Sequence, residues 1–181
     1  MIVGTNEWKS ITYGNGKYVV VGASGYVTTS TNGTSWTTPV RIGTEDWYSV
    51  TYGNGKFVAV GRKNAMMSTN GTSWTTYNNV STSYLMSVTF GNGKFVMVGS
   101  SSYIGTSTNG TSWTKQTANG GYLTDVIFAG DKFRTVGQDG LYTESSDGTN
   151  WTTKRFATLT SNYVTTVSYT HLRAHETDSY L

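Results

Sequence analysis

The stretch ITYGNGKYVVVG, Ile11 to Gly22, followed by TSTNGTSW, Thr29 to Trp36, decides how this chain is read, because it returns three more times. The first half recurs as VTYGNGKFVAVG (Val50 to Gly61), VTFGNGKFVMVG (Val88 to Gly99) and VIFAGDKFRTVG (Val126 to Gly137). The turn residues Lys17, Lys56, Lys94 and Lys132 are 39, 38 and 38 residues apart, and Trp36, Trp74, Trp113 and Trp151 are 38, 39 and 38 apart. The chain is a tandem array.

Each unit reads as strands. Trp47-Tyr48-Ser49-Val50-Thr51-Tyr52 alternates like a half-buried strand, and Gly53-Asn54-Gly55-Lys56 supplies the positive φ of a tight hairpin. Phe57 to Gly61 is a continuous apolar run, as a strand covered on both faces requires. Ala65-Met66-Met67-Ser68 is a third strand, Thr69 to Thr72 turns it, and Ser73-Trp74-Thr75-Thr76 is a fourth. A period near 40 holding four strands predicts an all-β fold, a β-propeller of four-stranded antiparallel blades. The blades are expected at about 8–46, 47–84, 85–122 and 123–161, with a fifth starting at 162–166, so that 1–166 is a piece of a longer array whose missing blades are its partners.

Composition fits. Gly, Ser, Thr, Asn and Tyr dominate, charged residues are 13%, and Pro39 is the one proline. The net charge of +3 is spread along the chain, and the recurring turn lysines read as solvated edge protection, which argues against a nucleic-acid partner. There is no cysteine, hence no disulfide or thiolate metal site, and no apolar run approaches a membrane span. No cofactor or metal is expected.

Beyond Thr166 the repeat pattern stops. Within Val167–Leu181, the run Val167 to Thr177 resembles the translated read-through of a transposase-type adapter from short-read sequencing libraries. It is set aside as non-native, and with it go His171, His175 and the neighbouring Glu176.

The strings Ser30-Thr31-Asn32-Gly33-Thr34-Ser35-Trp36, Ser68 to Trp74, Ser107 to Trp113 and Ser145 to Trp151 resemble the Asp-box of BNR-type, sialidase-like propellers, one residue tighter and with Asn where three boxes should carry Asp. The resemblance implies that Asn32, Gly33, Asn70, Gly71, Asn109, Gly110, Asp147 and Gly148 are structural turns, closed by a side-chain oxygen, with the tryptophan packed beneath. The Asn-Gly-Thr strings at Asn32, Asn70 and Asn109 also match the glycosylation acceptor pattern, which turn chemistry explains without it.

What differs between repeats is where function is sought. The second-to-third-strand loops and the links between units emerge together at one end of the blades, and variable loops on a rigid scaffold are the usual place for recognition. Tyr26, Arg62, Lys63, Asn64, Tyr103, Gln138 and Asp139 are the candidate ligand contacts. A sialidase-like enzyme needs an arginine cluster and paired carboxylates. Arg41, Arg62, Arg134 and Arg155 fall at unrelated repeat positions, and the candidate carboxylates are Asp125, in the slot held elsewhere by Ser10, Ser49 and Ser87 on the channel-lining strand, with Asp139 or Glu144 as its second. The reading is therefore a non-catalytic recognition or adhesion module for glycans or a surface receptor, at a cell surface, outside the cell or on a phage tail. A glycoside-hydrolase fragment and a ligand-free scaffold are the alternatives.

Overall fold

The computed structural model describes residues 6–117 and 121–156. The expected fifth-blade start at 162–166 and the segment 167–181 lie outside them.

Four four-stranded antiparallel sheets follow one another, each a simple meander. Blade 1 comprises β1 (Trp8–Gly14), β2 (Lys17–Gly22), β3 (Tyr26–Ser30) and β4 (Val40–Arg41). Blade 2 comprises β5 (Ser49–Gly53), β6 (Lys56–Gly61), β7 (Asn64–Ser68) and β8 (Thr75–Tyr77). Blade 3 comprises β9 (Leu85–Gly91), β10 (Lys94–Gly99), β11 (Tyr103–Ser107) and β12 (Thr114–Thr117). Blade 4 comprises β13 (Leu123–Ala129), β14 (Lys132–Gly137), β15 (Leu141–Ser145) and β16 (Thr152–Arg155). First strands of consecutive blades lie side by side, and the four sheets form an open arc that does not close on itself.

The hairpin between first and second strands is a two-residue turn with both residues left-handed: Asn15 (φ 48°) and Gly16 (φ 72°), and likewise Asn54–Gly55 and Asn92–Gly93. That geometry matches the right-handed twist of the strands it joins. Blade 4 keeps it with the order reversed, Gly130 (φ 52°) then Asp131 (φ 60°). The fourth strands start later than the sequence predicts, so Trp74 precedes β8 and does not belong to it. β4 is the shortest strand because Pro39, just before it, has no N–H for the ladder.

Alternation along each second strand divides its residues between two neighbours. We call the face toward the preceding blade leading and the opposite face trailing. Val19, Val21 and Val27 on the trailing face of blade 1 pack against Trp47, Val50, Phe57, Ala59 and Met66 on the leading face of blade 2. Val58, Val60 and Ala65 meet Leu85, Val88, Phe95, Met97 and Tyr103 in the same way. Val96, Val98 and Ile104 meet Leu123, Val126, Phe133 and Leu141. The hydrophobic core is thus three inter-blade layers, the arrangement that makes such folds quasi-one-dimensional.

Three devices join the layers. Gly14, Gly53 and Gly91 form a notch: a Cβ there would stand 2.0 Å from Cγ of Tyr52, Phe90 and Phe128, the rings of the following blade. Ser10, Ser49 and Ser87 each accept the backbone N–H of the next blade's first strand, from Val50 (3.1 Å), Val88 (3.1 Å) and Val126 (3.4 Å). The hairpin residues reach the next blade's turn: Asn92 donates to the Ser146 carbonyl at 3.1 Å and Lys94 to the Asp147 carbonyl at 2.7 Å. This corrects the reading of the turn lysines as solvated protection, because Lys94 is an inter-blade clasp.

Candidate functional site

The turns between third and fourth strands have one geometry in all four blades. Ser30 Oγ accepts Gly33 N–H at 2.9 Å, and Asn32 Oδ1 accepts Thr34 and Ser35 N–H at 3.0 and 2.8 Å. Ser68 with Asn70, Ser107 with Asn109 and Ser145 with Asp147 repeat the pattern around Gly71, Gly110 and Gly148. Trp74 and Trp151 donate their indole N–H to Gly71 and Gly148 carbonyls. The serine and Asn or Asp oxygens of these turns are thus taken up by the turn's own backbone N–H groups, while the Ser146 and Asp147 carbonyls accept from the preceding blade and the buried Trp113 indole N–H has no partner among the described residues.

Asp147 differs from its three asparagine counterparts in being ionisable. The Asn150 and Thr149 backbone N–H groups, with the Asn150 side chain, hold its carboxyl well below the usual carboxylate range. A carboxylate depressed in the folded state stabilises above its unfolded pKa, near 3.9, and loses that contribution as pH falls toward the folded value. Asp147→Asn is expected to keep the turn and to flatten the decline of the urea midpoint below about pH 4. Titration of that midpoint from neutral to acid pH checks it. An unchanged acid slope would mean that Asp147 carries none of it.

At the opposite end, the β6–β7 connection and the links on either side of blade 2 enclose a polar cleft of about 300 Å³ lined by Glu45, Arg62, Lys63, Asn64, Asn79 and Tyr84. Arg62 sits at φ 45°, and its carbonyl accepts Leu85 N–H, which ties this loop to the first strand of blade 3. Its guanidinium pairs with Glu45 at 3.2 Å and lies 6.0 Å from the centre of the Tyr84 ring. The hydrogen bond that Arg62 donates to the Glu45 carboxylate raises the Arg62 pKa further above its usual value. Asn64 Oδ1 accepts Asn79 N–H at 3.0 Å. Lys63 is exposed and forms no ion pair among the described residues.

Sequence reasoning named three of these cleft residues, Arg62, Lys63 and Asn64. It did not name Glu45, Asn79 and Tyr84, which come from the links Thr38 to Asp46 and Tyr77 to Tyr84; the unequal length of those links was their one signal. The remaining candidates lie elsewhere. Tyr26 is half-buried at the start of β3, opposite Arg41. Tyr103 is buried in the blade 2–3 layer, where its hydroxyl donates to the Val80 carbonyl at 3.1 Å and burial raises its pKa, so the expectation that it meets ligand is corrected. Gln138 and Asp139 are exposed in a 3₁₀ turn, Gln138–Gly140.

Arg41 and Arg155, read as unrelated, are structural equivalents. Arg41 Nε donates to the Ser24 carbonyl at 2.9 Å and Arg155 Nη1 to the Asp139 carbonyl at 3.1 Å, each bracing a loop residue with positive φ. Asp125 occupies the serine slot: it accepts the Ser87 hydroxyl at 2.6 Å and its following N–H at 2.9 Å. Its slot is an inter-blade stitch as much as a channel lining. Glu144 accepts the Tyr142 hydroxyl and lies 3.3 Å from Lys132 and 3.4 Å from Lys154, contacts that lower its pKa. Asp125 bonds to Ser87 and Val126, not to Asp139 or Glu144, and among the described residues no cluster of three or more His, Cys, Asp or Glu assembles that could hold a metal. No helix of the described residues is long and apolar enough to cross a membrane.

The architecture is that of a β-propeller. Among solved structures the chain is similar to YCF48 bound to D1 peptide, with 16% identity and a TM-score of 0.67 over 85% of this chain and 55% of that one. It is similar also to YCF48 from Cyanidioschyzon merolae (17%, TM-score 0.65, 84% of this chain and 57% of that one) and to the WD40 β-propeller domain of Doa1 (15%, TM-score 0.62, 80% and 53%). The chain spans about half the length of these structures. No family model and no curated protein matches it.

Proposed function

We propose that this chain is part of a non-catalytic recognition propeller whose variable-loop cleft takes an acidic polypeptide segment. The observation that carries this is the cleft at Arg62, Lys63, Asn64 and Asn79: an exposed unpaired cation, a second cation held in place by Glu45, and amides beside them, all braced by the blade 2–3 interface. Rigid positioning of such groups lowers the ordering cost of binding. A similar fold bound to a peptide supports a polypeptide ligand. Engagement of Asp125 with Ser87 and of Glu144 with two lysines supports a non-catalytic reading over a hydrolase.

The test is titration calorimetry of the chain with acidic peptides and their Asp-to-Asn, Glu-to-Gln counterparts. Lys63→Glu is expected to weaken binding of the acidic peptide by about tenfold, roughly 1.4 kcal/mol. Equal affinity for both peptide series, or no effect of Lys63→Glu, would sink the reading. One observation favours a glycan instead, the exposed Tyr84 ring beside the Asn64 and Asn79 amides, which suits stacking with hydrogen bonds. Binding to a glycan array that disappears with Tyr84→Ala selects it.

A further inference from the structure

The two ends of the arc are built differently. The leading face of blade 1 carries the same residues that the other leading faces bury. Ile11 is 57% exposed, whereas its equivalents Val50, Val88 and Val126 are 5, 4 and 3% exposed. Tyr13, the counterpart of the rings that enter the glycine notches, is 58% exposed. Gly33 is exposed, while Gly71, Gly110 and Gly148 are buried against the preceding blade, within reach of Val19, Val58 and Val96. Between Trp36, Ile11, Val20 and Thr28 lies an apolar hollow of about 360 Å³. Among the described residues this is an inter-blade interface without its neighbour.

The trailing face of blade 4 does not supply the missing half. Where blades 1 to 3 have the notch glycine, blade 4 has Ala129, whose Cβ stands where the incoming ring goes. Where they have Val19, Val58 and Val96, it has Arg134, bonded to the Tyr142 hydroxyl at 3.1 Å and to the Ala129 carbonyl. Tyr142 takes the place of Ile104, and Glu144, opposite Arg134 in the ladder, takes the place of Thr106. Gly130 stands where Asn92 clasps the next blade, and Lys132 turns back to Glu144. The changes fall on one face and act in one direction.

We propose that the leading face of blade 1 is a docking site for the trailing face of a further blade of this repeat type, and that Ala129, Arg134, Tyr142 and Glu144 bar blade 4 of a second copy from that place. The occupant's chemistry is written three times within the molecule: a glycine notch for Tyr13, two valines of one strand for the apolar hollow, and a serine hydroxyl to accept a first-strand N–H. An uncovered blade face would otherwise stack copies head to tail into rings or fibres, and burying Arg134 and Glu144 under an apolar face without new partners opposes that.

The experiment restores blade 3 residues on blade 4: Ala129→Gly, Arg134→Val, Tyr142→Ile and Glu144→Thr together. Analytical ultracentrifugation is expected to show the mass of this variant rising about twofold or more over the parent, as a heterologous contact requires. Adding Ile11→Asp on the leading face is expected to return it to the parent's mass. A fourfold variant that has the parent's circular dichroism and sediments like the parent overturns the proposal. So does association of the parent that Ala129→Trp abolishes, since that would place blade 4 in the contact. If the fourfold variant does not fold, Ala129→Gly with Arg134→Val is read by the same criteria.

Discussion

Phe95→Ala is expected to lower stability by about 3–5 kcal/mol, read as a shift of the urea midpoint. Phe95 is fully buried on the leading face of blade 3, against Val58 and Val60 of blade 2, with its ring 4.7 Å from Phe90. Two hydrogen-bonded sheets hold the walls of the space it would vacate, so little collapse can offset the lost contacts. The same repeat position in blade 1 is Tyr18, half-buried and with no blade in front of it among the described residues. Tyr18→Ala is expected to cost about 1 kcal/mol or less, as partly exposed sites do. If the two substitutions cost the same, the stabilisation does not reside in the inter-blade layers.

Gly53→Ala is the second large effect, expected at about 2–3 kcal/mol from a single methyl group. The added carbon would lie 2.0 Å from Cγ of Phe90, a ring already pressed against Phe95. Either blade 3 moves away from blade 2 or the ring leaves its rotamer. A double-mutant cycle with Phe90→Leu isolates the clash: the pair is expected to cost less than the sum of its members. Strict additivity would show that the glycine serves the backbone of its own turn instead. In blade 4 the equivalent position is already alanine, and the reverse change Ala129→Gly is expected to stay within about 1 kcal/mol.

The fold was legible because the physics that builds a blade is local. A two-residue left-handed turn, a Ser-x-Asn-Gly turn and a valine run each declare themselves within a dozen residues, and their return at 38 or 39 residues declares the array. The division of a run such as Phe57-Val58-Ala59-Val60 between two neighbours was not legible, since a strand buried on both sides shows no alternation of polarity. Tyr103 illustrates the same limit: a tyrosine after Ser100-Ser101-Ser102 reads as loop, yet its hydroxyl finds the Val80 carbonyl inside the protein. The equivalence of Arg41 and Arg155 was hidden by links of unequal length. The cleft was half visible, through Arg62, Lys63 and Asn64; its other wall comes from residues that no repeat column contains. Ala129 could be read as an oddity in a glycine column, but its meaning depended on the ring that occupies each notch.

The serine stitches have a genetic consequence. Each blade holds an acceptor, such as Ser49 Oγ, that serves the blade after it, and a donor, such as Val50 N–H, that serves the blade before it. Both halves of the joint therefore travel on one short stretch of coding DNA. Copying that stretch in tandem yields a neighbour that already fits, with no compensating substitution, whereas copying blade 4 transmits a joint that does not mate with its own duplicate.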